Sequence, residues 1–319
     1  MDCYRKWTKN IKITKEIIVI AMKRLLSILS AILLVASCSK VPDDGIVIID
    51  EPEKEQPQNL PQDVSDDNAD IISRIECPKT KDGNNIIVVK KDDEYGVNYF
   101  LEWDCDKRAQ RWTAYRMYKG NTATTVSRSG DDAWHEDEQI PVEYRSTYED
   151  YHYSGFDRGH ICPSADRLQN KNMNRQTFCY SNMQPQYNSL NAFIWSDMEA
   201  KVRSWNRDSF RDTLYVVKGG TIDGRDNVFD FLTHDDYGVL IPKYFFMAIL
   251  CVKNGKYKAL GFWIEHKPSY SQAEQKSIKQ YVVSVDELEQ RTGIDFFCNL
   301  DSEIQDATEK VTEVGEWSF

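Results

Sequence analysis

The sequence predicts an α+β domain built on an antiparallel β-sheet. Between positions 85 and 264, runs of β-branched and aromatic residues bounded by Gly, Asp or Asn outnumber segments with helical spacing. The pair Asn254-Gly255 separates two of these runs, and Asn-Gly is the favoured chemistry of a two-residue hairpin turn. Because few helices separate the strands, the pattern favours antiparallel pairing over a doubly wound parallel sheet.

Six strands and two helices are predicted in order along the chain. The strands cover residues 85–89, 97–103, 112–118, 214–218, 239–252 and 257–264. Residues 191–205 carry apolar side chains at helical spacing and are predicted as the first helix. The second helix is predicted to begin at Ser284, because Ser284-Val-Asp-Glu287 has the spacing of a capping box, and to end at Gly293.

The first 37 residues are predicted to be a signal segment. Met22 begins a short basic region, and an apolar run from Leu25 to Ser37 follows it. The run is shorter than the roughly 20 apolar residues of a transmembrane helix. It ends in Val35-Ala36-Ser37-Cys38, which resembles the lipobox at which bacterial lipoproteins are cleaved and acylated on cysteine. We expect translation to start at Met22 and Cys38 to carry a lipid anchor at the periplasmic side or cell surface; the alternative is an uncleaved anchor or a buried helix.

Charge and composition limit the function classes and divide the rest of the chain. The protein has 40 Lys and Arg against 51 Asp and Glu, a net charge of −11, which argues against coating of nucleic acid by positive charge alone. Residues 39–70 contain 10 acidic and 2 basic side chains and four prolines. Such a segment cannot bury a core, so residues 38–70 are predicted to be a lipidated, solvated tether. Residues 71–319 are long enough for one α+β domain.

Six cysteines belong to the predicted domain once Cys3 and Cys38 are set aside. They are Cys77, Cys105, Cys162, Cys179, Cys251 and Cys298. Export permits disulfides among them in several pairings, and buried free thiols are the alternative. No two cysteines have the C-x-x-C spacing, which disfavours a zinc ribbon or a dithiol redox pair.

The residues with chemical potential are concentrated in the middle of the chain. The motifs are Asp157-Arg158-Gly159-His160, then Tyr180-Ser-Asn182-Met-Gln-Pro-Gln186, then Leu190-Asn191 at the start of the first predicted helix. Taken singly, a histidine beside glycine is more often packed than catalytic, and an asparagine there is more often a helix cap. The combination D-R-G-H, S-N-x-x-P-Q and L-N-x-x-x-W-x-x-x-E-x-x-x-R resembles the sugar-nonspecific DNA/RNA endonucleases of the ββα-metal class.

This resemblance extends from about Tyr95 to about Leu300 and implies a ββα-metal fold with metal-dependent cleavage of phosphodiesters. His160 matches the general base, and Asn191 matches the protein ligand of a single divalent metal. The metal is expected to be Mg²⁺, with Mn²⁺ or another divalent cation able to substitute. Glu199 matches a metal-site carboxylate that acts through water.

Further site residues are assigned by the same resemblance. Arg158 and Arg203 match positions that hold phosphate oxygens. Asn182 matches a polar residue that supports the site, and we group it with Arg128 on the substrate side. Arg128 lies thirteen positions after Tyr115 and is the candidate for a further phosphate contact.

Elementary chemistry agrees with this assignment. A neutral imidazole can take a proton from water, and Asp157 or a backbone carbonyl is expected to orient the ring of His160. Mg²⁺ prefers oxygen ligands and keeps several waters, so one Asn carbonyl is a sufficient protein ligand. Asn191 and Glu199 are separated along the helix by roughly 12 Å, too far for both to bind one ion directly. Arg203, four residues later, is expected to pair with Glu199 or to reach phosphate; an ordinary surface ion pair is the alternative.

Three functions are therefore compared. The first is an exported, lipid-anchored endonuclease that cuts DNA, with RNA as a further candidate substrate. The second is a surface module that captures nucleic acid without cleaving it, and the third is a phosphodiesterase on small nucleotides. Capture alone needs only arginines, so the presence of both His160 and Asn191 disfavours the second. The net negative charge requires that arginines line the cleft, and the hypothesis names Arg108, Arg111, Arg116, Arg128, Arg158, Arg175, Arg203 and Arg207.

Overall fold

A computed structural model of the protein describes residues 68–234, 236–312 and 314–319. The predicted signal segment, Cys38 and most of the predicted tether lie outside the described residues. The end of the predicted tether lies within them, and there residues 69 and 70 are exposed and begin a short helix, α1 (Ala69–Ile72). Ile71 of this helix is buried in the core, so ordered structure begins before position 71. No helix in the described ranges is long and apolar enough to cross a bilayer.

A seven-stranded sheet forms the centre of the fold, and all its strand pairs are antiparallel. Its spatial order is β1 (Asn85–Asp92), β2 (Gly96–Asp104), β3 (Ala109–Tyr118), β6 (Thr213–Gly220), β9 (Tyr244–Lys253), β10 (Lys256–Glu265) and β11 (Val282–Val283). Two antiparallel pairs lie apart, β4 (Asp157–His160) with β5 (Met183–Gln186), and β7 (Val228–Leu232) with β8 (Leu240–Pro242). The predicted α+β class is confirmed.

Helices are few and mostly short. After α1 they are α2 (Lys171–Gln176), a π-helical segment (Leu190–Trp195) that continues into α3 (Ser196–Trp205), α4 (Gln272–Gln275), α5 (Val285–Thr292) and α6 (Ser302–Glu309). Single 3₁₀ turns lie at Lys119–Asn121, Asp131–Ala133, Val142–Tyr144, Ser164–Asp166, Tyr180–Asn182, Arg225–Asn227, Ile278–Tyr281 and Val314–Glu316. The predicted helix at 191–205 is confirmed, but its first part is π-helical, which the spacing of apolar residues does not predict.

The predicted strands are confirmed, with one correction. Residues 239–252 form two strands, β8 and β9, instead of one. Pro242 has no N–H to donate to a ladder, and the N–H of Lys243 donates to the carbonyl of Asn227, outside the central sheet. The hairpin between β9 and β10 is as predicted: φ is 51° at Asn254 and 72° at Gly255, and a type I′ turn requires positive φ at both positions.

The caps of α5 are largely as predicted. The side chain of Ser284 accepts a hydrogen bond from the N–H of Glu287 at 3.0 Å, and the helix ends at Gly293 in the left-handed conformation. The predicted capping box is only half formed, because the carboxylate of Glu287 pairs with Arg291 one turn later. One orphan N–H at the start of the helix is therefore satisfied by Ser284.

The central sheet is packed on both faces, and strand β6 illustrates the division. Val216 belongs to the cluster that contains the apolar side of α3, whereas Val217 belongs to the cluster that contains α5. Side chains alternate along a strand, so Lys218 lies on the same face as Val216. A lysine is thereby brought beneath α3, where its charge needs a partner.

The six predicted domain cysteines are all free thiols in the structure, and five of them are buried. The alternative of buried free thiols therefore describes them, and none of the permitted disulfides is formed. Burial raises the pKa of Cys162 and Cys179 to about 12. Neither of these two thiols is a reactive nucleophile at neutral pH.

Three carboxylates gather between α5 and α6. Oxygens of Asp286, Glu289 and Glu309 lie within 4.8 Å of one another. Only 3% of Glu309 is exposed, and its Oε1 has no hydrogen-bond partner among the described residues. Burial, reinforced by neighbouring carboxylates, raises the pKa of Glu289 to about 7 and that of Glu309 to about 8. An acid whose pKa is raised by folding stabilises the fold at low pH and loses this contribution as pH rises.

We expect Glu309→Gln to raise the melting temperature at pH 8, and to do so less at pH 5. At pH 5 the native carboxyl is already protonated, whereas at pH 8 the folded state must hold a buried charge. The difference should be about 2 °C or more for a domain of this size. Differential scanning calorimetry at both pH values measures it. Glu303→Gln, an exposed position in α6, is the control and should show no such pH dependence; equal shifts at pH 5 and pH 8 would contradict the prediction.

Candidate active site

Strand β4, the loops on either side of it and the helix at 190–205 form the walls of a cleft of about 600 Å³. Seven of the predicted site residues line this cleft, namely Arg128, Asp157, Arg158, His160, Asn191, Glu199 and Arg203. They come from a loop, a strand and a helix. The convergence that the motifs predict is therefore present in the structure.

Strand β4 is the D-R-G-H motif itself. Arg158 and His160 are two residues apart, so both project from the same face of the strand. Gly159 faces the other way, where a Cβ atom would lie 2.3 Å from Cδ of the buried Gln186. Only glycine fits this position. The indole Nε1 of Trp195 donates to the carbonyl of His160 at 3.3 Å and ties the hairpin to the helix.

The imidazole of His160 is held by aromatic rings. Its centroid lies 5.3 Å from that of Trp134 and 5.1 Å from that of Phe178. Its Nε2 is buried and has no hydrogen-bond partner among the described residues. Burial, with smaller contributions from Arg128 and Lys218, lowers the pKa of His160 to about 3. The ring is therefore neutral at pH 7, and its Nε2 is not used by the scaffold.

Asp157 does not orient the imidazole, and that part of the prediction is wrong. The backbone of Arg158 acts on the ring instead, as a hydrogen-bond partner that raises the pKa of the imidazole against the larger effect of burial, and a backbone carbonyl was the alternative. Oδ2 of Asp157 instead accepts from Nδ2 of Asn188 and from Nδ2 of Asn191, both at 2.9 Å. Asp157 thus fixes the orientation of the Asn191 amide.

This orientation makes Asn191 a suitable ligand for a hard cation. Because Asp157 binds the amide nitrogen, the carbonyl oxygen Oδ1 is left for another partner. A neutral oxygen donor in a cleft with the carboxylates of Asp157 and Glu199 is the donor set that Mg²⁺ or Mn²⁺ prefers. The unpartnered Nε2 of His160 fits a site that is completed by water and cation.

Glu199 and Arg203 lie on the cleft side of α3. One prediction was that these two side chains pair with each other, and it is wrong. Oε1 of Glu199 accepts from Nζ of Lys218 at 2.6 Å. Nη1 of Arg203 lies 3.0 Å from Oδ1 of Asp166, a buried carboxylate. The alternative of an ordinary surface ion pair is also wrong, because the Glu199–Lys218 pair is largely buried.

Lys218 and Asp166 are the site residues that the motifs do not identify. Lys218 is almost fully buried, and its Nζ also lies 4.7 Å from the centroid of the Trp195 ring. The signal in the sequence is a single lysine at the end of the apolar run Leu214-Tyr-Val-Val. A buried lysine needs a counter-charge, which Glu199 supplies, although burial still raises the pKa of Glu199.

Arg128 and Arg158 are held by aromatic faces. The guanidinium carbon of Arg158 lies 4.1 Å from the ring centroid of Trp134, and that of Arg128 lies 4.7 Å from that of Phe178. Neither forms a salt bridge within the described ranges. Their N–H donors are therefore available to an anion in the cleft.

The other arginines named by the charge hypothesis do not line the cleft, and the hypothesis is wrong for them. They are Arg108, Arg111, Arg116, Arg175 and Arg207. Three of them bind carboxylates elsewhere: Arg108 with Asp150 at 2.7 Å, Arg111 with Asp223 at 3.0 Å and Arg116 with Glu76 at 3.0 Å. These ion pairs are part of the scaffold.

Asn182 supports the backbone of the site but cannot contact a substrate. The prediction that it belongs with Arg128 on the substrate side is therefore wrong. The side chain is fully buried. Its Oδ1 accepts from the N–H of Cys162 at 2.8 Å, and its Nδ2 donates to the carbonyls of Cys162 and Thr177 at 2.9 and 2.8 Å. Three hydrogen bonds therefore fix the backbone that follows His160.

Comparison with known proteins gives a consistent result. A family model described as DNA/RNA non-specific endonuclease matches residues 84–303. The chain is 28% identical to mitochondrial nuclease EXOG of Xenopus laevis over 212 residues, which are 64% of this chain and 58% of that protein. It is 29% identical to nuclease C1 of Cunninghamella echinulata over 210 residues, 64% of this chain and 82% of that protein. The chain thus spans less than two thirds of the length of the EXOG relative.

A solved structure, the EndoG/EndoGI complex, is similar to the fold. The TM-score is 0.56 at 22% sequence identity, and the match covers 67% of this chain and 87% of that chain. At this identity the likeness concerns the fold alone. It confirms the predicted ββα-metal architecture, in which the β4–β5 hairpin and the helix at 190–205 are the ββα unit.

Proposed function

Because the chain belongs to the DNA/RNA non-specific endonuclease family, we propose that it is a metal-dependent hydrolase that cleaves phosphodiester bonds within DNA, with RNA as a further candidate substrate. One observation carries the proposal. His160, whose buried Nε2 has no hydrogen-bond partner among the described residues, lines the same cleft as Asn191 and two arginines without carboxylate partners. These are the groups that hydrolysis of a phosphodiester needs: a base, a cation ligand and donors to phosphate oxygens.

His160 acts as the general base. Its imidazole is neutral at pH 7, so Nε2 can accept the proton of an attacking water. The rings of Trp134 and Phe178 pack against the imidazole and hold it at the cleft. The base is therefore positioned before the substrate arrives, which lowers the entropy loss in the transition state.

Asn191 is the residue that would hold the divalent cation, Mg²⁺ with Mn²⁺ or another divalent ion as a substitute. Asp157 orients its amide, so the carbonyl oxygen is presented to the ion. Bound there, the cation supplies Lewis-acid stabilisation of the phosphate and of the departing oxygen. Glu199 lines the same cleft, and because Lys218 binds its Oε1, its other oxygen is the one available to water at the metal site.

Arginines hold the phosphate. Arg158 and Arg128 lie on aromatic faces and keep their donors free for phosphate oxygens, which bind guanidinium groups through charge-assisted hydrogen bonds. Arg203 is fixed by Asp166 through one nitrogen and still has donors to offer to the cleft. All of these contacts are to phosphate, which favours cleavage with little sequence preference.

Nicking of supercoiled plasmid by the full-length protein, with and without EDTA, tests the proposal. We expect nicking that chelation abolishes and added Mg²⁺ restores. A chromogenic phosphodiester is assayed in parallel. If the small ester is hydrolysed and the plasmid stays uncut, the protein is a phosphodiesterase of small nucleotides and not an endonuclease. If the plasmid is bound but not cleaved, the protein is a capture module.

We further propose that the protein is exported and anchored to a membrane by a lipid on Cys38. The support is the order of basic, apolar and small residues at positions 22–38. The acidic tether that follows would hold the catalytic domain away from an anionic surface. Metabolic labelling with a fatty-acid probe should mark the wild-type protein and not Cys38→Ala; labelling of both would contradict the anchor.

A further inference from the structure

Three aromatic side chains that line the cleft contact one another in series, and we call them the aromatic rim: Tyr148, His152 and Tyr153. Ring centroids of Tyr148 and His152 lie 4.6 Å apart with an angle of 33° between the planes. Those of His152 and Tyr153 lie 3.9 Å apart at 37°. All three residues line the same cleft as His160. They immediately precede the D-R-G-H strand in the sequence.

Tyr153 is the unusual member of the rim. Its side chain is 92% exposed, so its large ring gains little from burial in the folded protein. Its backbone has φ of +57°, a left-handed conformation that is unfavourable for a bulky residue. The fold thus holds an aromatic ring out into solvent on a strained backbone. Such strain is found most often at sites that contact a ligand.

One member of the aromatic rim borders both the catalytic cleft and a neighbouring depression. Tyr148 also borders a second depression of about 530 Å³, which shares Trp134 and Arg158 with the first. A strand whose phosphate is held by Arg158 therefore has a continuous path past Tyr148. The second depression places the guanidinium of Arg158 among aromatic faces, the combination found in proteins that bind single-stranded nucleic acid, and the carboxylates of Asp131 and Glu136 also line it.

We propose that the aromatic rim stacks a nucleobase next to the phosphate that is cleaved, and that the site therefore favours single-stranded or locally unpaired substrate. This inference rests on the proposed nuclease function and adds a substrate class to it. In a duplex the faces of the bases are covered by their neighbours, so a base must leave the stack before Tyr153 can contact it. An aromatic ring stacks on any base. Stacking therefore adds no sequence preference to a site whose other proposed substrate contacts are to phosphate.

The test measures binding of two oligonucleotides by fluorescence anisotropy, with the full-length protein in a His160→Ala background that prevents cleavage. One is fluorescein-labelled oligothymidylate, and the other has the same length and abasic sites in place of the bases. We expect Tyr153→Gly to weaken binding of oligothymidylate by about 5- to 150-fold and to leave binding of the abasic strand unchanged. Tyr153→Phe retains the ring and should bind like the parent.

The controls separate stacking from a structural effect. Tyr153→Gly should not lower the melting temperature, because glycine adopts positive φ without strain. Tyr237→Ala removes a 53% exposed tyrosine that packs on His234 outside the cleft, and it should leave both affinities unchanged. Equal binding of oligothymidylate by Tyr153→Gly and the parent, or an equal loss for both strands, would overturn the inference. Failure of the parent to bind either strand would instead overturn the proposed nuclease function.

Discussion

Replacement of His160 by alanine is expected to lower the rate of plasmid nicking by about two to four orders of magnitude, the usual contribution of a positioned general base. The physical reason is the unpartnered Nε2, which the proposed mechanism uses to take the proton of water. This nitrogen makes no hydrogen bond within the described ranges, so its removal leaves no former partner unsatisfied. The melting temperature should therefore change little, and initial rates of nicking together with thermal unfolding measure both effects.

The pH profile of the wild-type protein gives an independent check on His160. Burial, with Arg128 and Lys218 nearby, lowers the pKa of the imidazole to about 3, so the ring stays neutral as pH falls through 6.5. The acid limb of kcat/KM, which reports groups of the free enzyme, should therefore lie well below pH 6.5. His234→Ala, outside the cleft, is the control for the substitution and should retain nicking. Unaltered nicking by His160→Ala would rule out the role of general base.

Local signals in the sequence were sufficient to predict the framework. The hairpin turn at Asn254-Gly255 and the helix between Ser284 and Gly293 are both specified by residues close together in the chain. The strands β4 and β5 are different. They are four residues each, they contain Gly159 and Pro185 in place of β-branched residues, and they pair with each other outside the central sheet. Propensity does not identify such strands, so the motif itself was the only signal.

The ion pairs of the cleft show why motifs locate a site better than they describe its contacts. Spacing of four residues predicts a pair between Glu199 and Arg203. In the structure Glu199 forms its ion pair with Lys218, because the alternation of side chains in β6 buries this lysine beneath α3. A fully buried charge requires its partner more than the partly buried Arg203 does. Arg203 donates a hydrogen bond to Asp166 instead. These two residues are 37 positions apart, so no local sequence pattern predicts their contact.

The charge distribution depends on tertiary structure in the same way. Of the eight arginines that the hypothesis names for a polyanion, Arg128, Arg158 and Arg203 line the cleft. The sequence gives no means to separate these from Arg108 or Arg111, which neutralise carboxylates of the scaffold. A small number of unneutralised guanidiniums is nevertheless sufficient for a catalytic site, because only the phosphates near the cleaved bond must be held. Net charge is thus a weak guide to the substrate of this fold.

Asn191→Ala is expected to raise the Mg²⁺ concentration for half-maximal nicking by about tenfold or more. Loss of a residue that merely orients a ligand typically weakens a metal site by about 10- to 100-fold, and loss of the ligand itself should have at least this effect. The measurement is a Mg²⁺ titration of the nicking rate for each variant. Because saturating Mg²⁺ can restore part of the rate, the titration distinguishes lost ligation from a lost general base, for which the rate stays low at every concentration.

The chain offers a matched control for this experiment. Asn188 donates to the same Oδ2 of Asp157, at the same 2.9 Å as Asn191, but does not line the cleft. Asn188→Ala removes one hydrogen bond from Asp157 and leaves the carbonyl of Asn191 in place, so its Mg²⁺ titration should stay close to wild type. If both variants shifted the titration equally, the effect would come from Asp157 and not from ligation. A wild-type titration for Asn191→Ala would exclude Asn191 as the cation ligand, since no other contact of this side chain explains a metal requirement.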